Sequence, residues 1–315
     1  MSEADKMQAT ETCAEVPAPE PKSHPDIRAA KARPASQATG FGSPRDFLDN
    51  RFVYITVSAR ARGLAVGVNL NPDKECNFDC VYCEVDRHTP FEKQPLEVKT
   101  MGDELQRTLA FLHSGQLRRQ PPFHALPDAL LELRHVALSG DGEPTLCPQF
   151  AEVLQTVIHI RARGQFPFFK IVLLTNATGL DLPLVESSLK LLTPRDEIWA
   201  KLDAGTPAFM ERVNRPQVPL KKVLANILRL GRQRPVVIQS LFALLEGQPP
   251  PVEEIEPYLE RLKELKAGGA TIPLVQVYSP YRPMAQVRCG HLPLKSLSDI
   301  ARQIRANTGL NAEVF

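Results

Sequence analysis

Short β-branched or aliphatic runs alternate along this chain with apolar helical stripes, and that alternation constrains the fold more than any other feature. The runs occupy residues 64–70, 133–138, 169–174, 197–202, 236–241 and 273–278. In the gaps, Met101, Leu105, Leu109 and Leu112 recur at spacings that put them on one helix face. Similar stripes join Phe150, Leu154, Val157 and Ile158, then Val223, Leu224, Ile227 and Leu228. Ile255, Leu259, Leu262 and Leu265 form another, and Leu297, Ile300 and Ile304 the last. Repeated β-then-α units predict a mostly parallel sheet with right-handed crossovers and helices outside. Six units fall short of a closed eight-stranded barrel. The fold expected is therefore an α/β partial (β/α)6 barrel, with a doubly wound open sheet as the alternative. A further run, residues 52–57, precedes the first unit and is placed as an edge strand. In either architecture functional residues belong at the C-terminal ends of the strands.

Residues 1–40 stand outside this pattern. No aromatic residue and no leucine precedes Phe41, and Pro17, Pro19, Pro21, Pro25 and Pro34 break any helix there. Such a stretch buries too little apolar surface to offset its ordering entropy. The organisation expected is a disordered tail over residues 1–40, with Cys13 an unpaired thiol inside it. One folded domain follows over residues 41–315, ending in a short helix. The longest nearly unbroken apolar run, residues 236–245, contains Gln239 and Ser240 and is about half the length that spans a bilayer. The first residues lack the apolar centre of a secretory signal. A cytoplasmic, reducing location with no membrane partner is expected. There, six cysteines in 315 residues point to metal or catalysis rather than to a disulfide framework. With 38 Lys+Arg against 36 Asp+Glu, net charge selects no partner.

Three of the six cysteines share one loop. After the run at residues 64–70 comes Asn71-Pro72-Asp73-Lys74-Glu75-Cys76-Asn77-Phe78-Asp79-Cys80-Val81-Tyr82-Cys83, a C-x3-C-x2-C spacing. Three thiolates this close can converge on three corners of a four-iron, four-sulfur cube, which normally takes four cysteines. An absent fourth ligand leaves one iron open to a substrate or cofactor, as catalytic zinc keeps an open position. Structural zinc is a competing reading, with His88 as fourth ligand. A disulfide with a spare thiol and a transient redox site are two more. Cys147 and Cys289 are isolated and read as buried structural thiols.

After the next run the chain reads Ser139-Gly140-Asp141-Gly142-Glu143-Pro144-Thr145. Two glycines let the backbone turn sharply and approach a ligand closely. A plain β–α turn would use them equally well. Thr145 occupies the third glycine position of a G-x-G-x-x-G fingerprint, so no dinucleotide motif is completed. Together with the cysteine loop, this segment resembles the radical S-adenosylmethionine superfamily. The resemblance implies a [4Fe–4S] cluster on Cys76, Cys80 and Cys83 whose free iron chelates S-adenosylmethionine. Reductive cleavage would then give a 5′-deoxyadenosyl radical that abstracts hydrogen from a substrate. The resemblance also places Tyr82 near the adenine, and Gly140, Asp141, Gly142 and Glu143 at the cofactor's ammonium; Asp141 replaces a glycine of the simplest version. At further strand ends Asn176, Gln239, Tyr278 and Arg282, with Tyr281 beside it, would reach ribose, carboxylate or substrate. Lys201 and Asp203, two apart and so on one strand face, are the candidate catalytic pair, an ordinary ion pair being the alternative. A one-electron donor such as flavodoxin or ferredoxin is implied as partner.

Residues 51–87, residues 139–146 and Lys201-Leu202-Asp203 are similar to the branch that holds the wyosine-type tRNA-modifying enzymes. Two departures stand out. Archaeal members ligate a second cluster through cysteines upstream of the triplet, where this chain has only Cys13. Eukaryotic members carry a flavodoxin domain for which this chain has no room. The function expected is thus a radical S-adenosylmethionine enzyme with an unidentified substrate. A tRNA-base-modifying enzyme, a glycyl-radical activating enzyme and a non-catalytic zinc-binding module are the alternatives. RNA draws support from residues 212–245, which hold Arg212, Arg215, Lys221, Lys222, Arg229, Arg232 and Arg234 and no acidic residue. Such a run could neutralise phosphates or form a solvated helix face.

Overall fold

The computed structural model describes residues 47–87, 90, 93–121, 123–280 and 289–315. The expected tail at residues 1–40, with Cys13, His88, Tyr281 and Arg282, lies outside them. All seven predicted runs are strands within one or two residues of their expected ends. They are β1 (Val53–Ser58), β2 (Gly63–Asn69), β3 (Leu133–Ser139), β4 (Lys170–Thr175), β5 (Glu197–Lys201), β6 (Val237–Leu241) and, after the short β7 (Ala243–Leu245), β8 (Val275–Tyr278). Two more, β9 (Cys289–His291) and β10 (Ala312–Val314), are three residues long, too short to show a period in sequence. The helices are α1 (Val98–His113), α2 (Asp128–Leu131), α3 (Phe150–Ala162), α4 (Pro183–Leu189), α5 (Pro207–Asn214), α6 (Leu220–Gly231), α7 (Val252–Ala267) and α8 (Leu294–Thr308).

Among the described residues eight strands form one sheet in the order β1-β2-β3-β4-β5-β6-β8-β10. Pairings from β2 to β10 are parallel, and β1 is antiparallel to β2, with Val53 opposite Val68. The six β/α units therefore build the expected partial barrel. A seventh parallel strand, β10, extends it beyond β8, and β7 pairs with β9 apart from the sheet. Strand periodicity of two divides the side chains between the faces. Val66, Val136, Leu138, Ile171, Leu173, Ile198 and Ile238 belong to the main core with the buried helix stripes, and Val172, Trp199 and Val237 form a separate cluster on the opposite, concave side. Burial on both faces explains the near-continuous apolar runs that made these strands legible. Each fully buried Val, Leu or Ile contributes roughly 1.5–3 kcal/mol relative to exposure.

Buried charges fasten the ends. Glu104 of α1 accepts the Arg51 and Phe52 amides at 2.8 Å each and the Val53 amide at 3.1 Å, which holds the entry to β1. At the N-terminal ends of β4 and β5, Asp196 takes both guanidinium arms of Arg161, at 2.6 and 3.1 Å, with the Ile171 and Thr193 amides at 2.8 Å each. No helix among the described residues is long and apolar enough to cross a membrane.

Candidate functional site

The cysteine loop leaves β2 through Asn69, whose Oδ1 accepts the Asn71 amide at 3.1 Å and the Asp141 amide at 2.9 Å. One side chain thus ties the loop after β2 to the loop after β3. Further on, the Asp79 and Val81 amides donate to the Asn214 and Val213 carbonyls, and the Gln217 amide donates to the Asn77 carbonyl. The loop is thereby pinned along the end of α5. Lys74, Ala177 and Arg215 all adopt positive φ, at 59°, 67° and 44°, a region costly for side chains other than glycine. They flank Cys76, Asn176 and Asn214, so the backbone stores strain around one place.

Cys76, Cys80 and Cys83 border a single cavity of about 290 Å³ with Tyr82, Gly140, Gly142, Glu143, Asn176, Lys201, Gln239 and Tyr278. Each sulfur accepts one N–H: Cys76 from the Phe78 amide at 3.4 Å, Cys80 from the Asn214 side-chain amide at 3.3 Å, and Cys83 from the Arg87 guanidinium at 3.0 Å. Burial pushes the Cys76 thiol up to about 12 and the Cys80 thiol up to about 11. Among the described residues no three His, Cys, Asp or Glu side chains converge on one point as a single-ion site. Three irons of a cube would each take one of these thiolates, whose sulfurs accept hydrogen bonds that tune the cluster. Three soft donors around one cavity, each with its own N–H, fit that group.

The glycine segment is built against this loop. A Cβ on Gly142 would collide with the Glu75 carbonyl oxygen, and one on Gly140 with the Asn71 side chain. The Glu143 amide donates to that same Glu75 carbonyl at 2.9 Å. These glycines therefore permit close approach of two loops, a role beyond a plain turn. Asn71 Oδ1 is buried without a hydrogen-bond partner among the described residues. Asp141 accepts Asn69 Nδ2 at 3.0 Å, and its carbonyl accepts Arg87. Glu143 is 2% exposed. Its carboxylate accepts from the Thr145 amide and hydroxyl, the Thr175 hydroxyl and, at 2.7 Å, the Asn176 amide. Burial nevertheless raises its pKa.

Lys201 ends β5 and Asp203 lies in the segment after it, so it is the loop and not strand periodicity that sets Nζ 4.0 Å from Oδ2. Asp203 also accepts from the Tyr82 hydroxyl, from Asn214 at 3.0 Å and from the Leu241 amide at 2.8 Å. Lys201 lies 4.7 Å from the Tyr82 ring centroid and 3.4 Å from the Tyr278 hydroxyl. Burial disfavours its charge, but Tyr278, Asp203 and Cys80 outweigh burial and hold the ammonium above its ordinary range. Asn176 donates to Asn77 Oδ1 at 2.9 Å, clasping the cysteine loop, while Gln239 donates to Gln276 at 2.9 Å. Cys147 and Cys289 are buried elsewhere.

Sequence reasoning missed Arg87, Asn214 and Arg60. Arg87 follows Cys83 by four residues in a stretch without periodicity. Asn214 closes α5, a helix announced by Thr206-Pro207. Thr206 Oγ1 caps it by accepting the Phe209 amide at 3.1 Å, and Thr followed by Pro is a recognised helix start. Of the basic run, Arg215 pairs with Asp79, Lys222 with Asp181 and Arg229 with Glu186, while Arg232 and Arg234 donate to backbone carbonyls.

No protein-family model matches the chain. Solved radical SAM enzymes share its fold. A radical SAM methyltransferase from Sphaerobacter thermophilus superposes with a TM-score of 0.57 at 14% identity, covering 84% of this chain and 68% of that one. TYW1 with a lysine-pyruvate adduct bound gives 0.53 at 16%, covering 82% and 84%. Streptococcus suis SuiB bound to S-adenosylmethionine gives 0.52 at 13%, covering 78% and 49%. The architecture is thus the partial barrel of the radical SAM enzymes. Among curated sequences, a UPF0026 protein of Helicobacter pylori is 28% identical over 57% of this chain and 52% of its own length. A UPF0026 protein of Synechocystis is 24% identical over 82% of this chain and 94% of its own. The chain spans about half the length of the first of these relatives and of SuiB.

Proposed function

We propose that this protein is a radical S-adenosylmethionine enzyme. Cys76, Cys80 and Cys83 would hold a [4Fe–4S] cluster, and the Gly140–Glu143 loop would seat S-adenosylmethionine beside it. The observation that carries this reading is the single cavity bordered by three sulfurs, each with one N–H donor, beneath a glycine loop packed on their backbone. Together the two groups would supply reductive cleavage of the sulfonium and a 5′-deoxyadenosyl radical for hydrogen abstraction. A one-electron donor of flavodoxin or ferredoxin type would be the partner.

The chain's own residues position and exclude. Tyr82 presents a ring immobilised by Asp203 and Asn214. Glu143 and Asn176 tie the segments after β3 and β4 to each other and to the cysteine loop, a preformed edge at which S-adenosylmethionine would be held. Lys201 brings a fixed positive charge to the cavity wall, and Val172, Trp199 and Val237 give the concave face an apolar patch. The fold would orient a substrate, and the bound cofactor would supply the hard chemistry.

Anaerobic reconstitution with iron and sulfide, followed by reduction with S-adenosylmethionine present, tests the reading. Brown protein that forms 5′-deoxyadenosine and methionine supports it. A colourless protein with stoichiometric zinc and no 5′-deoxyadenosine overturns it.

A further inference from the structure

Three cavities border one another inside the curled sheet. The first, of about 290 Å³, holds the cysteines; the others, of about 120 and 450 Å³, contain none of them. Arg60, in the turn between β1 and β2, borders all three. Its guanidinium carbon sits 4.2 Å from the Tyr278 ring centroid. A guanidinium held over a ring by its charge still carries five N–H donors, and the ring face accepts none of them as a conventional hydrogen bond. They make no hydrogen bond to the described residues. Lys201 is parked in the same way on Tyr82 and reaches the Tyr278 hydroxyl. Tyr278 therefore has one cation at its ring face and another at its hydroxyl.

The neighbouring carboxylates are already engaged. Asp203 accepts from Tyr82, Asn214 and the Leu241 amide; Glu143 accepts from Thr145, Thr175 and Asn176. Glu84, at the cysteine-loop end, also has a partner. Two cations facing one lumen, one of them with unused planar donors, make a place for a small oxyanion.

We propose that Arg60, with Lys201, binds an anionic oxygen group of the substrate, a carboxylate or a phosphate. Its attachment there fixes which carbon–hydrogen bond faces the cofactor. The substrate is the source because Arg60 borders the two cavities that lack the cysteines as well as the one that holds them. That the anion belongs to a substrate rests on the radical-enzyme reading above.

Trp199 is the chain's single tryptophan and borders both deeper cavities, so its fluorescence reports their occupancy. The full-length protein is titrated with acetate, pyruvate and inorganic phosphate at constant ionic strength. At least one should give a saturable change. Arg60→Gln should weaken it roughly 10- to 100-fold through loss of charge-assisted hydrogen bonds, Arg60→Lys should restore part of it, and Arg302→Gln should leave it unchanged. No saturable signal with any probe, or equal affinity in wild type and Arg60→Gln, overturns the subsite. S-adenosylmethionine binding to reconstituted protein, measured by equilibrium dialysis, should be the same in wild type and Arg60→Gln; its loss would assign the arginine to the cofactor and overturn the substrate assignment. Wild-type protein that binds oxyanions through Arg60 yet forms no 5′-deoxyadenosine would remove the radical-enzyme reading and leave the subsite standing. The converse pattern removes the subsite alone.

Discussion

The side-chain nitrogen of Asn214 lies 3.3 Å from the sulfur of Cys80, although the two residues are 134 apart in sequence. The same nitrogen is 2.9 Å from the Tyr82 hydroxyl and 3.0 Å from Asp203 Oδ2. An amide has only two hydrogens, so the three acceptors compete, and Tyr82 relieves the competition by donating to Asp203. Hydrogen bonds to ligating sulfurs raise a cluster's potential by stabilising the reduced, more negative form. Asn214→Leu should therefore keep its iron while its reduction potential falls by on the order of tens of millivolts. A potentiometric titration followed by electron paramagnetic resonance measures this, and an unchanged potential would show that the donor is not felt at the cluster.

The cysteines make a sharper division. Cys76→Ala, Cys80→Ala and Cys83→Ala should each lose most iron and visible absorbance after reconstitution, because a cube left with two ligands is poorly held. Cys147→Ala and Cys289→Ala should retain both, since neither thiol borders the cavity that the triplet lines. Iron and sulfide analysis of the five variants checks this. Full iron in Cys80→Ala would exclude the assigned ligand set.

Much of this fold was legible because parallel strands buried on both faces are apolar without interruption; 169–174 in sequence became Lys170–Thr175 in space. The cysteine and glycine segments were legible because each is local. What could not be read is what only tertiary approach creates. Nothing near Asn214 announces that it meets Cys80, and Arg60 reaches Tyr278 only because β1 folds back on β2 before β8 arrives on the other side. The basic run illustrates the same limit. Its charges are segregated in sequence, but Asp79, Asp181 and Glu186 come from elsewhere to meet them.

Arg234 separates the two readings of that run. Its guanidinium donates to the Leu189 carbonyl at 3.1 Å and to the Thr193 and Asp196 carbonyls at 3.0 Å each. Arg234→Gln would remove these three hydrogen bonds from a charged donor, at a cost of about 1–3 kcal/mol. A lowered urea midpoint is expected, with tRNA retention on filters unchanged at a temperature where the variant is folded. Weaker and less salt-dependent tRNA binding at undiminished stability would instead place Arg234 at a phosphate.

Gly142→Ala tests the contact between the two loops. The added methyl would collide with the Glu75 carbonyl oxygen, which is backbone and cannot swing aside. The loop carrying Cys76 must then shift. Iron content should fall severalfold with a stability loss of about 1–3 kcal/mol, in the range set for overpacking. Gly290→Ala, whose nearest neighbour would be an ordinary 3.5 Å away, should change neither. Normal iron loading in Gly142→Ala would mean that the glycine serves the turn alone.

His135 offers a test of the concave face by pH. The imidazole is 3% exposed and meets Trp199 edge to face, with ring centroids 5.3 Å apart. Burial, aided by the charges of Lys170 and Arg60, lowers its pKa from 6.5 to about 3. The native ring is therefore neutral throughout the mildly acidic range, while the unfolded chain gains a proton below 6.5. Its contribution to stability is complete above pH 6.5 and is lost progressively as pH falls towards about 3. One proton corresponds to about 1.4 kcal/mol per pH unit, so roughly 2 kcal/mol should be gone by pH 5. Urea unfolding of wild type and His135→Gln between pH 7.5 and pH 5 isolates this from the carboxylates common to both. The wild type should lose stability more steeply on acidification, and equal slopes would show that the native ring takes up a proton.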